Sequence, residues 1–336
     1  MDEFAALPPS DREPYIRETA ARMNISEVII EKDFWVCWVL EKLFSLKDLR
    51  GHLIFKGGTS LSKCYGVIQR FSEDIDVSIS REYLGFGGDN DPARQSSGKR
   101  KKAKVEELGA ACTAWVSGAL RDQLGGLFAI LNDQEWELTV DPDDKDLQTL
   151  QFAYPSAIVD SLPYIRKAVK IELGARSDHW PADEKQIIPY IAQHFPQAIT
   201  ASSVPIHVLD IRRTFWEKVT LLHAEYHREP DMPMPPRLSR HLYDLWAIAH
   251  STFLEDAIDD HTLLADVVAH KQVFFKSGRA HYECAKPGTL KICPPEKRHK
   301  ELERDYAAMR QMIFSDPPTF KELMDTMGAL EKRINK

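Results

Sequence analysis

The sequence predicts an α+β fold, a mixed-sheet lobe followed by a helical C-terminal lobe, on three observations. Between residues 52 and 80 a short apolar run, a glycine pair, a helical stretch and the alternating run "DIDVSIS" follow one another. Three more β-like segments, "EWELTV", "LQTLQFAY" and "KAVKIELGA", come before residue 176. After about residue 205 the texture turns to long amphipathic helices. A chain of 336 residues exceeds the usual size of one domain. The expected division is an N-terminal helical segment at 1–50, a core at 51–204 and a helical domain at 205–336.

Taken in order, "NISEVIIEKDFWVCWVLEKLF" has Asn24 and Glu27 at capping-box spacing and an apolar stripe of Ile30, Phe34, Trp38 and Leu40, which predicts an amphipathic helix. "HLIF" predicts a strand, Gly57-Gly58 a break, and the stretch from about Ser60 to Ile68 a helix. Residues 85–104 are Gly/Ser-rich and end in Lys99, Arg100, Lys101, Lys102 and Lys104, a pattern expected of a solvated surface loop. "VEELGAACTAWVSGALRDQLGGLF" predicts a helix ended by glycines, and "DPDDKD" a turn between two strands. "DIRRTFWEKVTLLHAEYHR" and "RLSRHLYDLWAIAHS" predict two helices joined by the stiff "PDMPMPP", and the tail adds two more. There is no internal repeat.

Composition excludes several classes. Hydrophobic residues make up 43% of the chain, enough for a real core and too many for wholesale disorder. A net charge of −7 argues against coating nucleic acid by bulk charge, though not against a local basic surface. The five cysteines (Cys37, Cys64, Cys112, Cys284 and Cys293) are scattered without a CxxC pair, which predicts reduced thiols and no zinc knuckle. The N-terminus has no apolar signal region, and no run approaches the ~20 residues that span a bilayer. The expectation is a soluble cytoplasmic protein with no membrane partner.

The chemistry concentrates at Asp74 and Asp76. Residues two apart on a strand point to one side, so the two carboxylates face one point and repel unless a cation lies between them. Magnesium takes one or two carboxylates plus substrate phosphate oxygens, and a third carboxylate on a neighbouring strand would complete a two-metal clamp. Glu172, in an apolar context in "KAVKIELGA", is the candidate. Gly57 and Gly58 let a backbone approach phosphate closely, and Thr59 and Ser60 add hydroxyls. The bland readings are a half-exposed strand face for the aspartates, a snorkelling lysine at Lys218 and an Asp244–Arg240 pair four residues apart on one helix. A lone DxD or a lone glycine turn is weak; their ordered combination is specific. "HAEYH" is a decoy, because Glu225 is turned about 200° from His223 on a helix, unlike the glutamate of a zinc protease motif.

The segments "FKGGTSL" and "RFSEDIDV" resemble the signature of the AbiEii/AbiGii nucleotidyltransferase-like toxins, relatives of the MenT toxins. The resemblance continues in "VKIELGARSD", "RRTFWEKVTLLHAEYHR" and "RLSRHLYDLWAI", spans residues 25 to 250 and touches "DYAAMRQMIF". It implies a DNA polymerase β-type nucleotidyltransferase fold for the sheet lobe. It implies metal binding by Asp74 and Asp76, a serine beside the nucleotide phosphates at Ser72, and a phosphate loop of Gly58, Thr59 and Ser60 led in by Lys56 and Gly57. It further implies a triphosphate-facing lysine at Lys218 and an essential aspartate at Asp244. The third acidic strand residue is not fixed in this toxin group, so Lys170 stands beside Glu172 as the alternative.

The expected function is therefore a magnesium-dependent transfer (manganese being the alternative ion) of NMP from an NTP bound between the lobes. The resemblance implies the 3′ end of tRNA as acceptor, arrest of translation, and an antitoxin encoded nearby. The competing expectations are nucleotidylation of a protein hydroxyl, and a non-catalytic nucleotide-binding module in phage defence.

Overall fold

The computed structural model describes residues 1–132, 134–159, 166–199 and 204–336. Seven strands form one mixed sheet: β1 (Leu53–Lys56), β2 (Asp74–Ile79), β3 (Glu137–Val140), β4 (Thr149–Ala153), β5 (Ala168–Gly174), β6 (Ala182–Lys185) and β7 (Ile206–Leu209), in the order β3-β4-β5-β2-β1-β7-β6. The architecture is α+β. At its centre β2 pairs antiparallel with β1 and parallel with β5. On β2, Ile75, Val77 and Ile79 are buried while Asp74 and Asp76 are half-buried, which is the alternation read from the sequence.

The helices that frame the site and the second unit are α1 (Pro9–Met23), α2 (Glu27–Ser45), α3 (Gly57–Lys63), α4 (Gly98–Trp115), α5 (Ile211–Tyr226), α6 (Ser239–Ala249), α7 (His261–Phe274), α8 (Glu296–Met309) and α9 (Phe320–Ile334). The chain forms two compact units. Residues 1–64, 72–91 and 103–208 make the first, which holds the sheet; residues 65–71, 92–102 and 209–336 make the second, which holds α5 to α9. Among the described residues no helix is long and apolar enough to cross a membrane.

Several local expectations are corrected. Asn24 does not open a capping box: it closes α1 in the left-handed region at φ 53°, and Ser26 precedes α2. Nor is the segment after residue 97 a loop. The basic run opens α4, whose Arg100 amide donates to the Ser97 hydroxyl at 3.3 Å. The helix after the glycine pair starts at Gly57 itself and ends at Lys63.

Helix α2 is buried on every side from Val28 to Leu40, so the amphipathic stripe proves too narrow a reading. Trp35 and Trp38 are fully buried, with ring centroids 5.4 Å apart, and Trp38 lies 4.9 Å from Phe128. Burial extends to three consecutive charges, each of which finds a different segment. Glu31 accepts from the Ser156 hydroxyl at 2.7 Å and from the Ala157 amide. Lys32 donates to Glu73 at 2.6 Å, and Asp33 accepts from Lys63 at 2.8 Å and from the Tyr190 amide at 2.7 Å. A buried charge without a partner is strongly unfavourable, so these pairs dictate where the chain before β2 and the end of α3 must lie.

Asp33→Ala would leave the Lys63 ammonium buried without its carboxylate. The expected loss of unfolding free energy is about 3–5 kcal/mol, read by urea denaturation. A wild-type midpoint would show that Lys63 reaches water instead.

Candidate active site

The register of the central strands assembles the carboxylates. Asp76 stands opposite Lys56 on β1 and opposite Glu172 on β5, and Asp74 stands opposite Lys170. Lys170 donates to Glu172 at 2.7 Å, which strengthens its hold on its proton against the effect of burial. Burial, then the negative charges of Glu172, Glu73 and Asp76, push the Asp74 carboxyl up to about 6, with Lys32 opposing. The strand thus presents carboxylates that disfavour one another's charge.

The glycine turn meets this strand without clearance. Gly57 has φ +80°, and a Cβ there would fall 1.9 Å from Oδ2 of Asp76. Both the backbone conformation and the close approach exclude any side chain. The hydroxyls expected to face a ligand are spent internally. Thr59 is 1% exposed; its hydroxyl donates to the Asp74 carbonyl oxygen at 2.5 Å and lies 2.9 Å from the Ser72 hydroxyl. One proton serves one acceptor, so Ser72 donates to Thr59. Ser60, fully buried, donates to the Gly57 carbonyl at 2.8 Å. Thr59 therefore braces the turn against β2 and Ser60 closes it on Gly57, so what the turn could offer a ligand is its backbone.

In the second unit three charges from distant positions converge. Asp244, on α6, is 0% exposed and accepts from Arg70 twice, Nε to Oδ1 at 2.8 Å and Nη2 to Oδ2 at 2.9 Å. Lys218, on α5, donates to the same Oδ2 at 2.8 Å. The Asp244–Arg240 pair expected on one helix gives way to this triad, because a fully buried carboxylate needs more donors than one neighbour on its own helix supplies. Burial would raise the Asp244 pKa, but Arg70 and then Lys218 hold it well below the usual carboxylate range. Lys218 is buried by this contact and does not snorkel. His241, buried beside these cations, stays neutral through burial first and Lys218 second. Arg70 was not singled out from the sequence; its one local signal is its place directly before "FSEDID".

The chemistry of the donor set fits a hard divalent ion. Asp74 and Asp76 supply the oxygens, and a cation would relieve their repulsion. Among the described residues no three His, Cys, Asp or Glu side chains gather as a closed ligand set. Asp74 and Asp76 are the residues that would hold such an ion, while Glu172 is engaged by Lys170. His223 spends both ring nitrogens on backbone, accepting from the Lys291 amide at 3.0 Å and donating to the His281 carbonyl at 3.1 Å.

A family profile described as the nucleotidyl transferase AbiEii toxin of type IV toxin–antitoxin systems matches residues 38–326. The chain belongs to the AbiEii family. It is accordingly a nucleotidyltransferase of a toxin–antitoxin system, and the family implies an NTP substrate, usually a divalent metal, and an antitoxin partner. Among solved structures this AbiEii protein is similar to MenT4, a nucleotidyltransferase toxin from Mycobacterium tuberculosis H37Rv, with 15% identity and a TM-score of 0.39 over 88% of this chain and 98% of that one. No curated protein matches it.

Gly57→Ala forces Asp76 aside. With misplacements of about 1 Å costing on the order of 100-fold, nucleotidyl transfer is expected to fall at least that far while the circular dichroism spectrum persists; activity within a few-fold of wild type would show that the turn has slack. The triad also sets a pH dependence. Asp244, depressed in the folded state, contributes stability that is complete above its unfolded pKa of about 4 and is lost as pH falls toward the folded value. Urea denaturation across that acid range is expected to give a shallower pH slope for Asp244→Asn than for wild type, and equal slopes would contradict the assigned charge state.

Proposed function

We propose that this AbiEii enzyme transfers NMP from an NTP to the 3′ end of tRNA, with magnesium at Asp74 and Asp76, and thereby stops translation. The observation that carries the reading is the register in which Asp76 stands between the Gly57 turn and Glu172 on adjacent strands. The acceptor hydroxyl oxygen bonds to the α-phosphorus, the bond from that phosphorus to the bridging oxygen breaks, and pyrophosphate leaves. Asp76 or Glu172 takes the hydroxyl proton. The backbone at Gly57–Gly58 holds phosphate oxygens, with Lys56 and Ser72 beside it, and Lys218 offsets charge on the leaving pyrophosphate. The metal, when bound, supplies charge neutralisation at the phosphate oxygens.

An RNA acceptor is favoured over a protein hydroxyl by helix α4. Lys99, Arg100, Lys101 and Lys102 lie in its first turns, at the positive end of the helix dipole. Each cation there is unfavourable by about 0.3–1 kcal/mol, and Lys99, Arg100 and Lys102 are exposed in a chain of net charge −7. An exposed basic turn of this kind suits a polyanion outside the helix.

Incubation of each labelled NTP with magnesium, total tRNA and total protein is expected to label tRNA with the wild-type enzyme and nothing with Asp74→Ala. Label on protein alone would select the protein acceptor; retained toxicity of Asp74→Ala in a growth assay would select a non-catalytic role. Replacing Lys99, Arg100 and Lys102 together with alanine is expected to reduce the salt slope of tRNA binding by about one per residue. An unchanged slope would remove α4 from the RNA surface.

A further inference from the structure

We infer that Arg70 is a positioning residue for nucleotidyl transfer, acting through Asp244 on the ammonium of Lys218; the inference rests on the role proposed above for Lys218. All three guanidinium nitrogens of Arg70 are committed inside the second unit: Nε and Nη2 to Asp244, and Nη1 to the Phe71 carbonyl at 3.2 Å. The guanidinium nitrogens of Arg70 are thus spent on protein oxygens and Asp244 is fully buried, so neither is the group assigned to the substrate. Lys218 differs, because only one of the three N–H bonds of an ammonium is needed for its contact with Asp244 Oδ2.

The arrangement has an electrostatic and a geometric part. Two cations share one carboxylate, which leaves the triad with net positive charge, the sign a polyphosphate requires. The planar fork of Arg70 fills both oxygens of Asp244 and fixes the plane of the carboxylate. Without Arg70, Asp244 Oδ1 loses its donor, the carboxylate turns toward Lys218 for a second hydrogen bond, and the pair becomes neutral. The ammonium is then drawn toward Asp244 and away from phosphate.

Arg70 is itself held from both sides. The Gln69 amide donates to the Tyr243 hydroxyl at 3.2 Å, the Phe71 amide to the Met312 carbonyl at 2.7 Å, and the Phe314 amide to the Gln69 carbonyl at 2.8 Å. Residues 69–71 therefore form a fixed mount for the guanidinium, paired through the bridge between Arg70 and Ile313.

The test is a double-mutant cycle of Arg70→Met and Asp244→Asn, with kcat and KM for the NTP measured beside urea denaturation, and Arg70→Lys as the conservative variant. Arg70→Met is expected to lower kcat/KM about 10–100-fold in the wild-type background, the usual cost of losing an orienting partner. In the Asp244→Asn background the same change is expected to cost no more than about 2-fold, because the path through Asp244 is already cut. Arg70→Lys, which keeps the charge and loses the fork, is expected to fall between wild type and Arg70→Met. Equal fold-losses in both backgrounds, or full activity in a folded Arg70→Met, would overturn the inference. Should Arg70→Met prove unfolded, Arg70→Lys carries the cycle with the same two outcomes. A wild-type enzyme that turns over no NTP would sink the transfer reading and this inference with it; turnover without Arg70–Asp244 coupling sinks this inference alone.

Discussion

Asp76 leaves no room for a side chain at residue 57. A β-carbon there would sit 1.9 Å from a carboxylate oxygen, so the turn must be glycine, and the antiparallel register of β1 on β2 must hold to the residue. A slip of one position would turn Asp74 and Asp76 toward the core and Ile75 and Val77 outward, which neither face tolerates. The hydroxyls of Thr59 and Ser60 reinforce the fit, one anchored on the carbonyl of Asp74 and the other on that of Gly57. From this contact follow the register of β1 on β2 and the requirement for glycine at the turn.

The two units handle buried charge differently. In the first, α2 matches its buried Lys32 with Glu73 and its buried Asp33 with Lys63, so burial organises the chain around the acidic strand. On that strand, burial first and then the charges of Glu172, Glu73 and Asp76 push Asp74 up to about 6. In the second, Arg70 and Lys218 bracket a single buried carboxylate and leave a surplus of positive charge. Each unit thus keeps an unbalanced charge of its own, negative beside the glycine turn in the first and positive around Lys218 in the second.

What could be read from the sequence was what depends on local periodicity. "DIDVSIS" alternates because one face is core, and the glycine pair marks a turn whatever surrounds it. The strand of Glu172 and the helices of Lys218 and Asp244 were legible for the same reason. Non-local facts were not. Arg70 finds its carboxylate 174 residues away, and no spacing rule reaches that far. Asn24 carries both N-cap and left-handed preferences, and only the end of α1 decides between them. The start of α4 was hidden because glycine, serine and a run of like charges resemble a loop, although Ser97 three residues before Arg100 has the spacing of a cap. Strand β7 runs directly into the first long helix of the second unit and is recognised by its parallel partner at Phe55.

The parallel pairings bear on when this protein becomes dangerous during its own synthesis. Strand β2 leaves the ribosome early, but β5 beside it ends at Gly174 and β7, beside β1, at Leu209. The segment at 69–71 waits longer still, for Asp244 and then for Met312 and Phe314. Chains of this kind gain their distant pairings only after the intervening sequence exists. A nascent copy therefore carries the acidic strand without the neighbours that set its geometry until β5 and β7 have been made.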